Sequence, residues 1–160
     1  MKIVGIDLSG PANSKDTSLV ILQAKGKNLS YVKSIQEASD YMIYDEILGL
    51  TKTETVIIGL DAPLSYNIGG GDRESDHKLR MKIIEKGMPS GSVMTPTMTR
   101  MAYLTLRGIS ISRCLETIDS PLVKIVEVHP GAAFALRGAP INDDRGFIHL
   151  SFLIDLLFQT

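Results

Sequence analysis

Apolar and polar residues follow one another in blocks along the chain, and these blocks predict an α/β fold. Residues 3–8 are apolar on both faces of an extended chain, as expected of a central strand that is covered on each side. Residues 17–24 and 29–35 are two further strand-like stretches, each preceded by turn-forming residues. The first part of the chain therefore predicts an antiparallel meander of three strands.

Helices and strands alternate after the meander. The pattern predicts, in order, a helix over 39–50, a strand over 55–60, helices over 72–86 and 97–116, and a strand over 124–128. Strands that are reached through helical crossovers run parallel to one another, with right-handed connections. We therefore predict a mixed five-stranded sheet in the order 3-2-1-4-5 with helices on both faces, which resembles the strand and helix order of ribonuclease H.

The composition is that of one folded domain. The chain has 160 residues, of which 44% are hydrophobic and 22% are charged, and a single domain commonly takes about 100 to 200 residues. Cys114 is the only cysteine, which excludes an intramolecular disulfide, a zinc ribbon and an iron–sulfur cluster and favours a reducing cytoplasm. Since Cys114 falls on a mostly apolar helix, we expect it to be a small buried hydrophobe.

Charge and hydropathy limit the partners. The formal net charge is −1, so a nucleic acid would need a local basic patch on the protein. Asp7 interrupts the stretch where a secretory signal would be apolar, and no segment approaches the roughly 18 apolar residues of a membrane span. Residues 147–158 are strongly apolar; a buried closing helix or the loss of a C-terminal part of the protein would explain them, and they could also form a homodimer contact.

Two strands end in the same pattern of residues. Residues 3–7 (IVGID) and 57–61 (IIGLD) share apolar residues, a glycine, another apolar residue and a final aspartate. Because side chains alternate along a strand, the glycine and the aspartate lie on one face, and we expect the glycine to leave a small hollow beside the carboxylate. On parallel neighbours about 4.8 Å apart, Asp7 and Asp61 would emerge side by side at the carboxyl ends of their strands.

Paired carboxylates predict a metal site. Two close carboxylates repel each other unless one holds a proton or a divalent cation lies between them. Oxygen ligands suit Mg²⁺ or Mn²⁺, and two such ions about 4 Å apart can activate water and stabilise the leaving oxygen of a phosphodiester. We therefore predict Asp7 and Asp61 as metal ligands and catalytic residues, with Mg²⁺ or Mn²⁺ as the cofactor. The alternative is that strand ends carry polar residues simply where burial stops.

The fifth predicted strand adds two candidates. Alternation puts Ile125, Glu127 and His129 on one face of this strand, and Pro130 ends it. We predict Glu127 as a third catalytic acid at the same edge of the sheet and His129 as a substrate-binding residue. The alternative for His129 is a partly buried, hydrogen-bonded histidine.

Four segments in this order resemble the domain-of-unknown-function family 429. They are residues 5–8 (GIDL), 60–64 (LDAPL), 72–80 (DRESDHKLR) and 126–130 (VEVHP), and the resemblance extends from residue 1 to about 138. The family is regarded as predicted nucleases with a ribonuclease H-like fold. The resemblance therefore implies that fold and a metal-dependent nuclease activity.

The chain departs from that family near its end. Relatives usually have a later helix that supplies another aspartate to the metal site, and the sequence up to Thr160 has no obvious copy of it. Asp143, Asp144 or Asp155 could substitute, although a helix cap or a polar helix face would also explain these residues. The single predicted domain, 1–160, could thus lack a C-terminal helix of the family.

The segment after the glycines 69–71 offers the local basic patch. Arg73, Lys78 and Arg80, together with His77, follow a glycine-rich loop that could approach a phosphate. We predict Arg73, Lys78 and Arg80 as substrate-binding residues for a nucleic acid.

The same segment has a structural explanation. Glu74 with Lys78 and Asp76 with Arg80 have the i,i+4 spacing of ion pairs on a solvated helix, each worth about 0.2–0.5 kcal/mol. That explanation and a phosphate-binding patch stay open at this point.

Three functions are compatible with these patterns. The first is a metal-dependent nuclease that uses water as the nucleophile. The second is a non-catalytic binding or assembly module on the same fold, which the absent late aspartate favours. The third is an actin-like nucleotide-binding domain, in which residues 7–10 would hold phosphates; that class needs two domains that close on ATP, and one domain of 160 residues cannot supply the cleft alone.

Overall fold

The computed structural model describes residues 1–118 and 120–138. It contains one five-stranded sheet in the order β3-β2-β1-β4-β5. The strands are β1 (Lys2–Asp7), β2 (Ser18–Lys25), β3 (Asn28–Ile35), β4 (Val56–Asp61) and β5 (Val123–Glu127). β1, β2 and β3 pair antiparallel, whereas β4 is parallel to both β1 and β5. The predicted α/β class, mixed sheet and strand order are confirmed.

Four α-helices connect or follow these strands in the described part of the chain. They are α1 (Asp40–Thr51), α2 (Glu74–Ile84), α3 (Thr99–Glu116) and α4 (Pro130–Leu136). Two 3-10 helices, Pro11–Asp16 and Ser90–Ser92, lie in the connections. The short helix α4 was not predicted, because only seven residues form it and no full apolar period is visible over that length.

Helix starts depend on side-chain capping. The Ser39 hydroxyl accepts a hydrogen bond from the Met42 amide at 3.2 Å, as predicted for the start of α1. α2 begins one residue later than expected: Arg73, and not Asp72, is its N-cap, and the Asp76 carboxylate accepts a hydrogen bond from the Arg73 backbone N–H at 3.0 Å. Asp72 is instead paired with Arg80.

One face of the sheet carries the main hydrophobic core. Alternate residues of β1 and β4 point into it, and α1 and α3 pack on top. The buried core includes Val4, Ile6, Val56, Ile58, Leu60, Ile43, Ile47, Ile111 and Leu115. α2 and α4 contribute to a separate small cluster that contains Ile83, Val93 and Ala132. Asp7 and Asp61 alternate with these core residues along their strands. They therefore lie on the face of the sheet opposite to α1 and α3.

Two expectations from the sequence concern Cys114 and the apolar segment near the end of the chain. Cys114 is exposed on α3, so the expectation that it is a buried hydrophobe is wrong; the apolar side chains of α3 that enter the core, Ile111 and Leu115, lie on another side of the helix. The predicted closing helix, 147–158, lies outside the described residues. No helix within the described ranges has the length and hydropathy that crossing a membrane requires.

Candidate functional site

Asp7 and Asp61 are direct neighbours at the carboxyl ends of β1 and β4. The two strands are parallel and in register, and Asp7 is the residue paired with Asp61, just as Gly5 is paired with Gly59. Side chains of paired residues in parallel strands project from the same face of the sheet. The two carboxylates, called here the carboxylate pair, therefore lie side by side at one edge of the sheet, as the repeated sequence pattern predicts.

The carboxylate pair has no cationic partner in residues 1–118 and 120–138. Neither Asp7 nor Asp61 takes part in a salt bridge or side-chain hydrogen bond there. Asp7 is exposed and Asp61 is half-buried. A partly shielded carboxylate without a hydrogen-bond donor is costly to ionise, and this cost is greater for Asp61 than for the more exposed Asp7.

Both pKa values are raised. Partial burial removes some of the water around the Asp7 carboxylate and raises its pKa above the usual value of 3.8, although much of the side chain remains accessible to water. Burial raises the pKa of Asp61 to about 6; His129 opposes that shift when its ring is protonated, and the nearby charges of Asp7 and Glu127 add to it. The larger shift falls on the less exposed carboxylate, which is the order that desolvation predicts.

The glycines beside the carboxylates do not leave open hollows. A Cβ atom at Gly5 would lie 3.3 Å from a methyl group of Val20, and a Cβ atom at Gly59 would lie 3.2 Å from a methyl group of Val128. The expected space is thus filled by valine side chains from β2 and from the residue that follows β5. The glycines permit close packing beneath the carboxylate pair, and a ligand would bind at the edge of the sheet instead.

Glu127 lies close to the carboxylate pair but projects differently. Its register partner on β4 is Leu60, a core residue, so Glu127 leaves the sheet on the face opposite to Asp61. Its carboxylate accepts hydrogen bonds from Arg73 at 2.7 and 2.5 Å and from the Leu64 backbone N–H at 2.9 Å. Glu127 is therefore not a free acid at the edge of the sheet. Its catalytic role stays a prediction, and the ion pair with Arg73 is an argument against that role.

Arg73 joins two carboxylates and forms the centre of a cluster. Its guanidinium donates to Glu127 and to both oxygens of Asp76, at 2.8 and 2.6 Å. Asp76 is buried, with 5% of its surface exposed. These hydrogen bonds and the two negative charges raise the pKa of Arg73, which keeps the cation permanently charged. We call Arg73, Asp76 and Glu127 the Arg73 cluster; it links the start of α2 to the end of β5.

The other predicted basic residues are also paired. Lys78 contacts Glu74 at 2.5 Å on the exposed surface of α2, as the i,i+4 spacing predicts. Arg80 pairs with Asp72 and donates to the Val93 carbonyl at 2.9 and 2.8 Å. Asp76 pairs with Arg73, so the expected pair with Arg80 is replaced. The segment thus carries balanced charge, and the prediction of a free phosphate-binding patch formed by Arg73, Lys78 and Arg80 loses its electrostatic basis.

His129 has a structural role at the start of α4. Its Nδ1 accepts a hydrogen bond from the Ala132 backbone N–H at 3.3 Å, and Nε2 lies 2.8 Å from the Ser92 carbonyl oxygen. This pattern requires the tautomer in which Nε2 carries the hydrogen and donates it. Both ring nitrogens are occupied, which matches the alternative of a hydrogen-bonded histidine; the substrate-binding prediction for His129 stays untested.

A complete metal site is not present among the described residues. Within 1–118 and 120–138, no group of three or more His, Cys, Asp or Glu side chains is arranged to hold a metal ion. A metal ion held by the carboxylate pair would need its further ligands from water or from other residues. Asp143, Asp144 and Asp155, which the sequence offers as substitutes, lie outside the described residues.

Sequence reasoning missed a buried arginine near Asp7. Arg107 on α3 donates to the Ser9 carbonyl oxygen at 2.7 Å, to the Thr17 hydroxyl at 2.8 Å, and to Asp40 at 2.5 Å. It is 8% exposed. No signal in the sequence indicated this role, because the partners of Arg107 are 67 to 98 residues away in sequence.

These features define an α/β domain whose mixed sheet presents two unpartnered carboxylates at the carboxyl ends of adjacent parallel strands. The chain belongs to the family described as "Protein of unknown function (DUF429)", which matches residues 5–149. The resemblance to this family on four short segments is thereby confirmed. Comparison with curated proteins found no match. Comparison with solved structures also found none.

Proposed function

We propose that this protein is a metal-dependent phosphodiesterase of the nuclease type, in which Asp7 and Asp61 bind Mg²⁺ or Mn²⁺. The observation that carries the proposal is the in-register pairing of Asp7 with Asp61 on parallel strands, with no salt bridge to either carboxylate in the described ranges. The raised pKa values of both residues support it, because a bound cation would relieve the same repulsion and desolvation.

The donor set fits a hard divalent cation. Carboxylate oxygens are the ligands that Mg²⁺ and Mn²⁺ prefer, and Mg²⁺ is commonly held by one or two carboxylates with several waters retained. When bound, such an ion supplies an activated water and stabilises negative charge on phosphate oxygens. The role of this chain is to hold two carboxylates at fixed separation, on two strands of a rigid sheet, with one side open to solvent.

The proposal does not depend on a basic surface. Arg73, Lys78 and Arg80 are all paired with acidic residues, so α2 contributes little net attraction for phosphates. Nucleic acid as the substrate is proposed on the carboxylate pair and on the fold predicted for the family. We also propose a cytoplasmic location, on the basis of the single cysteine in the sequence. The predicted homodimer contact falls on residues 147–158, outside the described part.

Hydrolysis of labelled RNA, DNA and RNA–DNA hybrid with added Mg²⁺ or Mn²⁺ tests the nuclease proposal. We expect activity that chelation abolishes and that falls at least about 100-fold in Asp7→Asn and in Asp61→Asn, since each loses a charged ligand. Asp45→Asn is the matched control, because Asp45 is an exposed residue of α1. Activity that persists unchanged in both Asp7→Asn and Asp61→Asn would contradict the proposal.

A non-catalytic binding module is the second candidate. It is favoured by the finding that no cluster of three metal-binding side chains occurs among residues 1–118 and 120–138. Titration calorimetry with Mn²⁺ distinguishes the two candidates. Saturable uptake that Asp61→Asn removes supports the metal-dependent enzyme, whereas a protein with no saturable uptake and no hydrolysis of any substrate supports the binding module.

A further inference from the structure

Helix α3 touches the chain directly after both members of the carboxylate pair. Arg107 donates a hydrogen bond to the carbonyl oxygen of Ser9, two residues after Asp7, at 2.7 Å. The next residue of the helix, Gly108, packs against Ala62 and Pro63, the first two residues after Asp61. Two adjacent residues in the middle of α3 thus contact the segments that follow β1 and β4.

The contact at Gly108 leaves no room for a side chain. A Cβ atom built there would lie 2.8 Å from the Pro63 carbonyl oxygen and 2.9 Å from the Ala62 Cβ atom. Both distances are shorter than a van der Waals contact, and the Pro63 atom belongs to the backbone, so it could not move away cheaply. Gly108 and Ala62 are both buried. The backbone of α3 therefore lies directly against the β4 end at this point.

The contact at Arg107 is equally specific. Arg107 is anchored to Asp40 through Nε at 3.0 Å and Nη2 at 2.5 Å, while Nη1 donates to Ser9 and Thr17. The Thr17 hydroxyl also accepts a hydrogen bond from the Ser9 backbone N–H at 3.2 Å. The connection between β1 and β2 is therefore held at its two ends by one buried cation, and a point charge such as lysine could not make this set of bonds.

We propose that Arg107 and Gly108 are positioning residues that set the separation of Asp7 and Asp61. This inference rests on the proposed function, since the separation matters only if the two carboxylates share a ligand. Neither residue touches the carboxylates or the proposed metal ion. They act through the backbone: Arg107 fixes the segment after Asp7, and Gly108 fixes the segment after Asp61. Because Arg107 and Gly108 are adjacent in one helix, the two segments are held at a constant distance from each other.

Gly108→Ala is the principal test. The added methyl group must displace Ala62 and Pro63, which moves Asp61 relative to Asp7. We expect the Mn²⁺ dissociation constant, measured by titration calorimetry, to rise by about 10–100-fold, as for changes in residues that orient metal ligands. Gly49→Ala is the matched control: Gly49 lies on α1, and beyond its chain neighbours and the adjacent backbone of its own helix a Cβ atom there would meet nothing within 4 Å. We expect it to change Mn²⁺ binding less than twofold.

Arg107→Lys is the second variant, and it keeps the proposal testable if Gly108→Ala does not fold. It retains the positive charge next to Asp40 and loses the fork that reaches Ser9 and Thr17. All titrations are made on protein whose circular dichroism shows a folded state, well below the melting temperature. Amide NMR spectra without metal supply an independent measurement: in Gly108→Ala the signals of residues 61–64 should move, whereas those of β2 and β3 should not.

The outcomes separate the inference from the proposed function. Weakened Mn²⁺ binding in Gly108→Ala and Arg107→Lys, with Gly49→Ala like the wild type, supports the positioning role. Saturable binding by the wild type with equal affinity in all folded variants overturns the positioning role alone. Equal weakening in Gly49→Ala would also overturn it, because the effect would then be general. A wild-type protein with no saturable Mn²⁺ binding overturns the proposed function, and the inference fails with it.

Discussion

Glu127 accepts hydrogen bonds from Arg73 on both of its carboxylate oxygens, at 2.7 and 2.5 Å. The same Arg73 binds the buried Asp76, so one cation balances two acids. Leu64, three residues after Asp61, also donates its N–H to Glu127. The Arg73 cluster consequently ties the loop after β4 to the end of β5, and two sequence-predicted site residues, Arg73 and Glu127, are used to stabilise the structure around the carboxylate pair.

Replacement of Arg73 should destabilise the fold strongly. Arg73→Met leaves Asp76, at 5% exposure, and the less buried Glu127 without their cation. We expect the free energy of unfolding to fall by about 3 kcal/mol, as when one partner of a buried ion pair is removed. Urea denaturation monitored by circular dichroism measures this change. Lys78→Met on the same helix is the matched control and should stay within about 0.5 kcal/mol, because the Lys78–Glu74 pair is exposed. Equal losses in the two variants would contradict the structural role of Arg73.

Ionisation of Asp61 should lower the stability of the metal-free protein. Burial raises the pKa of Asp61 from 3.8 in the unfolded chain to about 6 in the folded protein. Between these values the folded state holds a proton that the unfolded chain has released, so stability from this group is greatest below about pH 4 and is lost as the pH rises through about 6. Asp61→Asn removes that loss.

Melting curves in the presence of a chelator measure this effect. We expect Asp61→Asn to melt on the order of 3 °C above the wild type at pH 8, and the difference to shrink at pH 5. A melting difference that is the same at both pH values would show that Asp61 is not the group responsible.

Mn²⁺ binding should weaken in acid. A carboxylate must lose its proton before it can coordinate a metal, and the pKa of Asp61 is about 6. We expect the affinity for Mn²⁺ to fall about tenfold for each pH unit below 6 and to level off above pH 7, if one proton competes with the metal. Calorimetry in buffers that do not bind metal checks the profile. A flat profile between pH 5 and 6 would exclude Asp61 as a ligand.

A side chain at Gly59 should cost less stability when Val128 is shortened. A Cβ atom at Gly59 would lie 3.2 Å from a Val128 methyl group, so Gly59→Ala should cost about 1 kcal/mol through overpacking. Val128→Ala should relieve this contact, and a double-mutant cycle should give a favourable coupling of at least about 0.5 kcal/mol. Chemical denaturation of the two single variants and the double variant provides the energies. Strict additivity would mean that the two side chains do not compete for one space.

Local patterns predicted the elements because strand and helix periods are read over a few residues. The alternation in residues 3–7 and 57–61 already places both aspartates on one face of each strand, and the strand order follows from the number and type of connections. The start of α2 lies one residue later than predicted because Asp72 pairs with Arg80, whereas Asp76 accepts a hydrogen bond from the Arg73 backbone N–H and thereby makes Arg73 the N-cap.

The sequence by itself therefore determined the sheet, its order, and the neighbouring positions of Asp7 and Asp61, since each of these depends on local periodicity and on chain connectivity. Only the tertiary structure decided which charges are free. Glu127 and Arg73 are separated by 54 residues, and a chain with balanced charge offers every cation several acids to pair with. Which pair forms depends on the distances that packing imposes, and a linear sequence does not contain those distances.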